Sequence, residues 1–376
     1  MTVLYEPDPG GPAGLDGMRR LSSFTDAVFG RLPRADQRRW AELYVRALLS
    51  TPGKKSVRRL ADSVSGSPTA SQSMHQFVNA SPWDWQAIRQ DLLRWVEQRT
   101  TATAWALAPA FIPKRGDHSV GVHRRYDPFL GRATTCQLGI GLFLCGPAGP
   151  LPVDWNLYIP DDWPADPRLG ARVRLPEGTG GPMWSQAAGL ASRALSWTCG
   201  PEVPLTADLS WMPDRGAFLS RLAYGERPFV VEVPETAAVR PVAAGHPAPA
   251  PVTVRRLLDG RGGLPAGGEH HHGVDIVSMP VTLPGATARQ PRLRLLARRR
   301  AGGRGTAVWL TNLVDRPLAQ LLPLMRQPLL ASAVVNSLSG DFGLQDFEGR
   351  SYPGWHHHAT LVSVAFTHYR LRGPDA

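Results

Sequence analysis

Between Met18 and Gln98, apolar residues recur every three or four positions, which is the period of amphipathic helices. In the segment Arg34–Ser50, for example, the apolar positions fall at Trp40, Leu43, Tyr44, Ala47 and Leu48. The periodicity predicts a block of five helices, at Met18–Phe29, Arg34–Ser50, Lys55–Val64, Ser73–Val78 and Trp85–Gln98. Residues 1–17, dense in Pro and Gly, are expected to be disordered.

From Trp105 onward the apolar pattern becomes that of β-strands. It predicts three consecutive strands, at Ala104–Leu107, Val120–Arg124 and Thr134–Cys145. Residues 147–180 are rich in Pro and Asp, which predicts an irregular stretch. Helix and strand then alternate, with helices at Met183–Thr198 and Asp214–Tyr224 and strands at Val203–Ala207 and Pro228–Val233.

The character of the chain changes again over residues 235–290, where Pro, Ala and Gly dominate. Two strands are predicted after this stretch, at Arg292–Arg298 and Thr306–Thr311. They are followed by two predicted helices, Leu318–Leu338 and Gly354–Leu371. The order of three strands, a helix, a strand, a helix and a strand is that of an RNase H-like core.

Composition narrows the class of protein. The 376 residues carry a formal net charge of +11, mostly from arginine, and the sequence pI is about 10.3. Such a basic balance favours a polyanionic partner. The three cysteines make no disulfide framework and no metal-ligand spacing, which fits a reducing cytoplasm. The chain has no run of eighteen apolar residues, so no membrane-spanning helix and no membrane association are expected.

Two segments resemble a known family. Residues 105–122 read WALAPAFIPKRGDHSVGV and are similar to the family pattern W-x-x-D-D-T-G-F-P-K-K-G-x-H-S-V-G-V. Residues 343–361 read GLQDFEGRSYPGWHHHATL and are close to G-L-D-H-F-E-G-R-S-W-x-G-W-H-H-H-x-T-L. The family is that of the DDE-type insertion-sequence transposases of actinobacteria, and the resemblance extends over roughly residues 20–370.

The resemblance implies an α/β fold, with an RNase H-like mixed sheet, an N-terminal helical domain and a β-rich insertion. It divides the chain into a disordered start (1–17), a helical domain typical of DNA binding (18–100), the first part of the core (101–234), the insertion (235–300), and the last part of the core with its C-terminal helix (301–376).

The same resemblance implies three acids that hold catalytic metal ions, and two of them are absent here. The first position is Ala108, the second is Asp208 in the segment LTADLSW, and the third is Ser332. Strand transfer by this fold uses two metal ions, and Mg²⁺ requires hard oxygen ligands. With only Asp208 retained as a vestige, no metal site and no cofactor are predicted. Mg²⁺ is expected only if displaced carboxylates, such as Asp117 or Asp154, take over.

Basic residues mark a candidate nucleic-acid surface, since guanidinium and ammonium groups bind phosphate. In the helical block they form a dense cluster that looks poor in compensating acids. Matches to the family motif extend the surface into the core. The candidates are Arg34, Arg38, Arg39, Lys54, Lys55, Arg58, Arg59, Lys114, Arg115, His118, Ser119, Arg124 and Arg125.

Three interpretations stay open. The first is a catalytically inactive, domesticated transposase that binds double-stranded DNA, for example as a transcriptional regulator associated with the nucleoid in the cytoplasm. The second is an active transposase that uses displaced carboxylates. The third is a transposase fold reused for protein interaction or small-molecule chemistry, with Ala108, Pro109 and Ala110 lining a pocket. Because transposases of this kind act on two DNA ends, the resemblance also implies a homodimer.

Overall fold

The computed structural model describes residues 12–127, 130–163, 167–225, 227–242, 250–259, 269–271, 274–285, 291–299 and 305–372. The chain begins with five helices: α1 (Pro12–Phe29), α2 (Ala35–Ser50), α3 (Val57–Val64), α4 (Ala70–Asn79) and α5 (Trp85–Glu97). All five were predicted. The expectation of disorder is wrong for residues 12–17, which extend α1 by six residues, while residues 1–11 lie outside the described residues. Helix α5 starts where the Asp84 carboxylate accepts hydrogen bonds from the first-turn amides.

The central sheet contains five strands in the order β4–β3–β1–β5–β6. Strand β3 (Arg132–Gly146) runs antiparallel to both β1 (Ala104–Pro113) and β4 (Gly149–Leu157). Strands β5 (Leu205–Asp208) and β6 (Phe229–Val233) continue the sheet parallel to β1. With the helices between β4 and β6, these strands have the element order of an RNase H-like core, as predicted.

Two strand assignments made from the sequence are wrong. The predicted second strand, Val120–Arg124, is replaced by β2 (His123–Asp127), which pairs with the first part of β3 as an extra edge strand. The third core strand is β4, inside the stretch predicted to be irregular, which also holds the short helix α6 (Pro167–Arg172). Strand β4 was not predicted because it contains Pro150, Pro152 and Asp154, and proline and aspartate are depleted in strands.

Helices cover both faces of the sheet. Trp105 and Leu205 are paired neighbours, and both line a cavity with residues of α7 (Met183–Trp197) and α8 (Arg215–Ala223), which places these two helices on one face. Val230 belongs to the opposite face, where it packs with apolar residues of α10 (Leu318–Gly340). Helix α11 (Tyr352–Arg370) is almost wholly buried between the sheet and the N-terminal helices.

The segment between β6 and α10 extends the same sheet. Strand β12 (Thr306–Thr311) pairs with β6, and β11 (Leu293–Arg299) pairs with β12, which confirms the two strands predicted there. The other described elements of this segment are β7 (Ala238–Pro241), β8 (Val252–Thr253), α9 (Val254–Asp259), β9 (Glu269–His271) and β10 (Val274–Thr282). The sheet therefore runs without a break from β2 to β8.

Helix α10 is the one helix in the described part of the chain that is long and apolar enough to cross a membrane by length and composition. A third of its most apolar window is buried in the protein, and it packs on β1, β4, β5 and β6. Its outer face includes the exposed residues Leu329 and Leu330. A core helix of a globular protein passes the same test of length and composition, so the finding is weak evidence for a membrane span.

Candidate functional site

The strand register brings the expected acid positions of the sheet together. Leu107 pairs with Ala207, so the next residues, Ala108 and Asp208, lie beside each other on the face that carries α10. Asp208 in turn pairs with Glu232 of β6, which lies on the same face. Three neighbouring strands thus present alanine, aspartate and glutamate in a row. Glu232 was not predicted as a site residue, although its position near the end of an apolar strand resembles that of Asp208.

Neither of the substituted positions offers a metal ligand of the usual kind. Ala108 is 1% exposed and packs in the core of the sheet. Ser332 lies on α10, which packs against β1 and β5 as the predicted catalytic helix should. The Ser332 hydroxyl donates a hydrogen bond of 2.9 Å to the Pro328 carbonyl oxygen of its own helix. The frame is therefore present, with an apolar group and an internally bonded hydroxyl where acids are expected.

Asp208 is engaged in its own turn. One carboxylate oxygen accepts from the backbone amide of Ser210 at 2.8 Å, and the other accepts from the Ser210 hydroxyl at 3.0 Å. Such an Asx-type turn stabilises the exit from β5 without any metal. Among the described residues, no group of three or more His, Cys, Asp or Glu side chains could hold a metal ion. The residues present therefore do not fit the two-metal centre that the fold implies.

A cavity of about 360 Å³ lies between β1 and α10, next to Ser332. Apolar side chains from β1, the β2–β3 turn and α10 form one part of its wall, and neutral hydrogen-bonding side chains form much of the rest. Asp127, which is 3% exposed, is the one acidic residue among the described residues that line it. The lining residues are Pro109, Phe111, Pro113, Asp127, Leu130, Ser332, Val335, Asn336, Ser339 and Gln345. Pro109 lines the cavity, as predicted for a remodelled pocket, but Ala108 and Ala110 do not.

The basic cluster of the helical block has more acidic neighbours than the sequence suggests. Arg34 lies 3.3 Å from Asp36, and Arg58 lies 4.0 Å from Asp62. Lys54 lies 3.1 Å from Glu348, which is distant in sequence. The expectation that the cluster is poor in acids is therefore wrong.

Several members of this cluster are also bonded within the protein. Lys55 is 2% exposed; its ammonium donates to the Thr51 carbonyl oxygen, and burial lowers its pKa, so it is not available to an external phosphate. Arg38 donates to the Leu32 carbonyl oxygen at 2.6 Å, and Arg59 donates to that of Pro52 at 2.8 Å. Arg34, Arg39, Lys54, Arg58 and Arg59 are exposed.

The candidate residues of the core divide into two groups. Arg115, His118 and Arg124 are exposed, and Ser119 is half-buried. Lys114 instead donates to the Phe347 carbonyl oxygen at 2.8 Å, and burial lowers the pKa of its ammonium to about 8. Arg125 is half-buried and donates to the Trp211 carbonyl oxygen at 2.8 Å. Lys114 and Arg125 therefore hold the β1–β2 region against neighbouring loops.

A buried charged network joins the helical block to the sheet. Arg89 of α5 donates to the Asp154 carboxylate of β4 at 3.0 Å, and Arg193 of α7 reaches the other oxygen at 2.9 Å. Asp154 is fully buried, and Arg89 also donates to the His356 carbonyl oxygen at 3.0 Å. A carboxylate with these partners is structural, which excludes it as a displaced metal ligand in this arrangement.

The triple-histidine run at the start of α11 is part of the same core. His358 accepts from the Tyr44 hydroxyl at 3.0 Å and donates to the Gly343 carbonyl oxygen at 2.8 Å, an arrangement that one neutral tautomer satisfies fully. Burial lowers the pKa of His358 to about 4. His356 and His357 stack on Trp85 and Trp83, respectively. The run therefore packs in the core.

The chain matches the family model described as DDE superfamily endonuclease over residues 27–275, and it belongs to this family. Among solved structures, it is similar to a piggyBac transposase, determined by cryo-EM as a synaptic complex with hairpin DNA. That match has a TM-score of 0.42 and 11% sequence identity, and it covers 96% of this chain and 80% of the other. The likeness is too distant to support an argument about function. No curated protein matches the chain.

Proposed function

We propose that this protein binds double-stranded DNA without cleaving it. The observation that carries the proposal is the pair of positions 108 and 332, where a buried alanine and an internally bonded serine stand in an otherwise retained frame. The carboxylate of Asp208 is bonded within the turn that follows β5, and its one acidic neighbour across the strand pair is Glu232. These two carboxylates supply too few hard oxygen ligands for two divalent cations. Transcriptional regulation is the cellular use that we propose for such binding.

The support for DNA binding is family membership together with the net charge of +11. Exposed cations that contact phosphates release counterions, which drives binding independently of sequence. The acidic neighbours of Arg34, Lys54 and Arg58 weaken their contribution, because each pair must be broken or shared on binding. We therefore assign the phosphate contacts chiefly to the other exposed cations, Arg39, Arg59, Arg115 and Arg124.

A mobility-shift titration with sheared duplex DNA over a salt series tests the proposal. Binding should weaken by about 10²-fold between about 50 and 200 mM salt if the four assigned arginines each contact one phosphate. The variant Arg39→Gln/Arg59→Gln should bind less tightly and show a shallower salt dependence. Arg256→Gln/Arg326→Gln, at two exposed positions outside the candidate surface, is the matched control. No binding at low salt, or binding that salt does not change, would contradict the proposal.

Cleavage by displaced carboxylates is tested separately. Asp208 and Glu232 are cross-strand partners, so they are the pair most able to share a cation. Supercoiled plasmid is incubated with Mg²⁺ or Mn²⁺ and the protein, its Asp208→Asn variant or its Glu232→Gln variant. We expect no nicking by any of the three. Nicking by the wild-type protein that both variants lose would establish an active endonuclease instead.

The cavity beside Ser332 favours a second candidate function, in which a small uncharged molecule binds between β1 and α10, next to the position of the third family acid. Its apolar wall and its amide and hydroxyl groups suit a neutral, partly planar ligand. A thermal-shift screen of neutral compounds, repeated on Ser332→Trp to fill the cavity, tests this candidate. Hits that raise the melting temperature of both proteins equally would exclude the cavity as their site.

Two further experiments address cellular use and assembly. Chromatin pull-down with sequencing should recover discrete genomic sites if the protein is a regulator. A uniform or empty profile would contradict regulation. A homodimer, which the resemblance implies, should appear in sedimentation with a duplex that carries two binding sites, and one protein copy per duplex would contradict it.

A further inference from the structure

A second cavity lies at the far end of the N-terminal helices, and its lining is strongly basic. It has a volume of about 480 Å³ and opens between α1, the end of α5 and the end of α11. Four arginine side chains from three separate chain segments line it: Arg19, Arg20, Arg99 and Arg372. None of them belongs to the surfaces considered above. A volume of this size is within the range of small-molecule sites in proteins.

The described lining of this cavity is rich in positive charge. No acidic side chain is among the described residues that line it. Arg20 forms an ion pair of 2.6 Å with Asp16, one turn earlier in α1, and both side chains are more than half exposed. An exposed pair of this kind is worth little and leaves the guanidinium able to bind another anion. The cavity therefore concentrates positive potential.

The floor of the cavity is aromatic and rigid. Phe24 meets Trp95 edge to face with 4.5 Å between ring centroids, and it stacks on His368 at 5.3 Å. Phe24 is 3% exposed and His368 is 5% exposed. Burial and the charge of Arg372 lower the pKa of His368 to about 4, so the imidazole is neutral and adds no charge. The floor therefore adds an aromatic surface and no charge beneath the arginines.

The side chain of Arg99 is held in place by two contacts with Trp95. Its guanidinium lies over the Trp95 ring, 4.0 Å from the centroid, and donates to the Trp95 carbonyl oxygen at 3.1 Å. Guanidinium has five N–H donors, so these contacts leave others to point away from the ring. A side chain fixed in this way loses little entropy when it binds an anion. Arg19 is exposed on the facing helix.

We infer that this cavity is a phosphate-binding site. Several guanidinium groups that line one cavity match the charge and hydrogen-bonding chemistry of phosphate oxygens, and they exceed what a single carboxylate would need. The phosphate comes from one of two sources, the backbone or end of a DNA duplex, or a free phosphorylated molecule. Only the first source rests on the proposed function.

The test uses the full chain and two probes, inorganic tripolyphosphate and a short duplex DNA with a 5′-phosphate. Calorimetry measures tripolyphosphate binding, and a mobility shift measures DNA binding. The variant Arg19→Gln/Arg99→Gln removes two charges that face the cavity and leaves Phe24 and Trp95 in place. Arg256→Gln/Arg326→Gln, at two exposed positions outside the cavity, is the control that removes the same number of charges. Circular dichroism confirms that all three proteins are folded.

The inference requires that the double variant binds tripolyphosphate at least about tenfold more weakly than the wild-type protein and the control. If DNA affinity falls in parallel, the source is DNA phosphate; if it does not, the source is a free phosphorylated molecule. Equal tripolyphosphate affinity in all three proteins, or no binding to the wild-type protein, overturns the inference. Tripolyphosphate binding with no DNA shift by the wild-type protein would refute the proposed function alone.

Discussion

Restoring the two missing acids gives the sharpest test of the site. In the variant Ala108→Asp/Ser332→Glu, the new carboxylate at residue 108 enters a position that is 1% exposed. The residue paired with position 108 is Gly141 on β3, which lies against the rings of Phe143 and Trp155. A carboxylate buried without a partner costs about 3–5 kcal/mol. The variant should therefore be less stable than the wild-type protein in the absence of metal ions.

Magnesium should reverse this loss. Together with Asp208, the two new acids supply the three carboxylates that the family uses, and binding at about 100 times the dissociation constant stabilises a protein by about 2.7 kcal/mol. Thermal unfolding with and without Mg²⁺ measures the effect, with Ala108→Asn/Ser332→Gln as the neutral control of equal size. We expect a Mg²⁺-dependent rise in melting temperature in the acidic variant and none in the wild-type protein or the control.

Two outcomes would refute this reasoning. A Mg²⁺-dependent rise in the wild-type protein that Asp208→Asn abolishes would mean that the native site already holds a cation. An acidic variant that is folded but indifferent to Mg²⁺ would mean that β1 and α10 do not hold the three positions close enough to share one. The first outcome contradicts the loss of the metal site, and the second contradicts retention of the frame.

Two further predictions concern stability. The pKa of His358 is about 4 in the folded protein, against about 6.5 in an unfolded chain, so the unfolded state binds the extra proton first as the pH falls. The contribution of His358 to the free energy of unfolding should therefore be intact above pH 6.5 and decline by about 3 kcal/mol toward pH 4. Urea midpoints measured over this range should fall less in His358→Gln, and a flat profile in the wild-type protein would contradict the prediction. Arg89→Leu should destabilise by about 3–5 kcal/mol because Asp154 loses a buried partner. The double variant Arg89→Leu/Asp154→Asn should recover part of that loss, and additive losses would contradict the coupling.

The sequence predicted the long helices and most core strands because their apolar residues keep a regular period, whereas the short helices α6 and α9 were missed. It also located the positions of Ala108, Asp208 and Ser332 on β1, β5 and α10, since the motifs around them survive. Strand β4 was missed because its two prolines and Asp154 have the composition of a loop. In the structure, two arginines satisfy that carboxylate, and one of them comes from a helix 65 residues earlier.

The electrostatic surface was harder to predict than the fold. The pairing of Lys54 with Glu348 joins segments almost 300 residues apart, so local charge patterns count that lysine as free. Glu232 was missed because its relation to Asp208 depends on the parallel pairing of β5 with β6. Charge partners and cross-strand neighbours depend on which distant segments pair and in which strand register, and local sequence patterns do not carry that information.

The unbroken ladder from β6 through β12 to β11 sets a limit on how the gene can be shortened. Excising residues 235–300 as a cassette would take away β11 and leave β12 as an open edge. Four consecutive residues of that strand, Ala307 to Leu310, are buried, so the new edge strand would be apolar and would carry unpaired backbone amides. Exposed edge strands of this kind pair with other chains and aggregate. A minimal version of the protein that stays monodisperse must keep β11 in place.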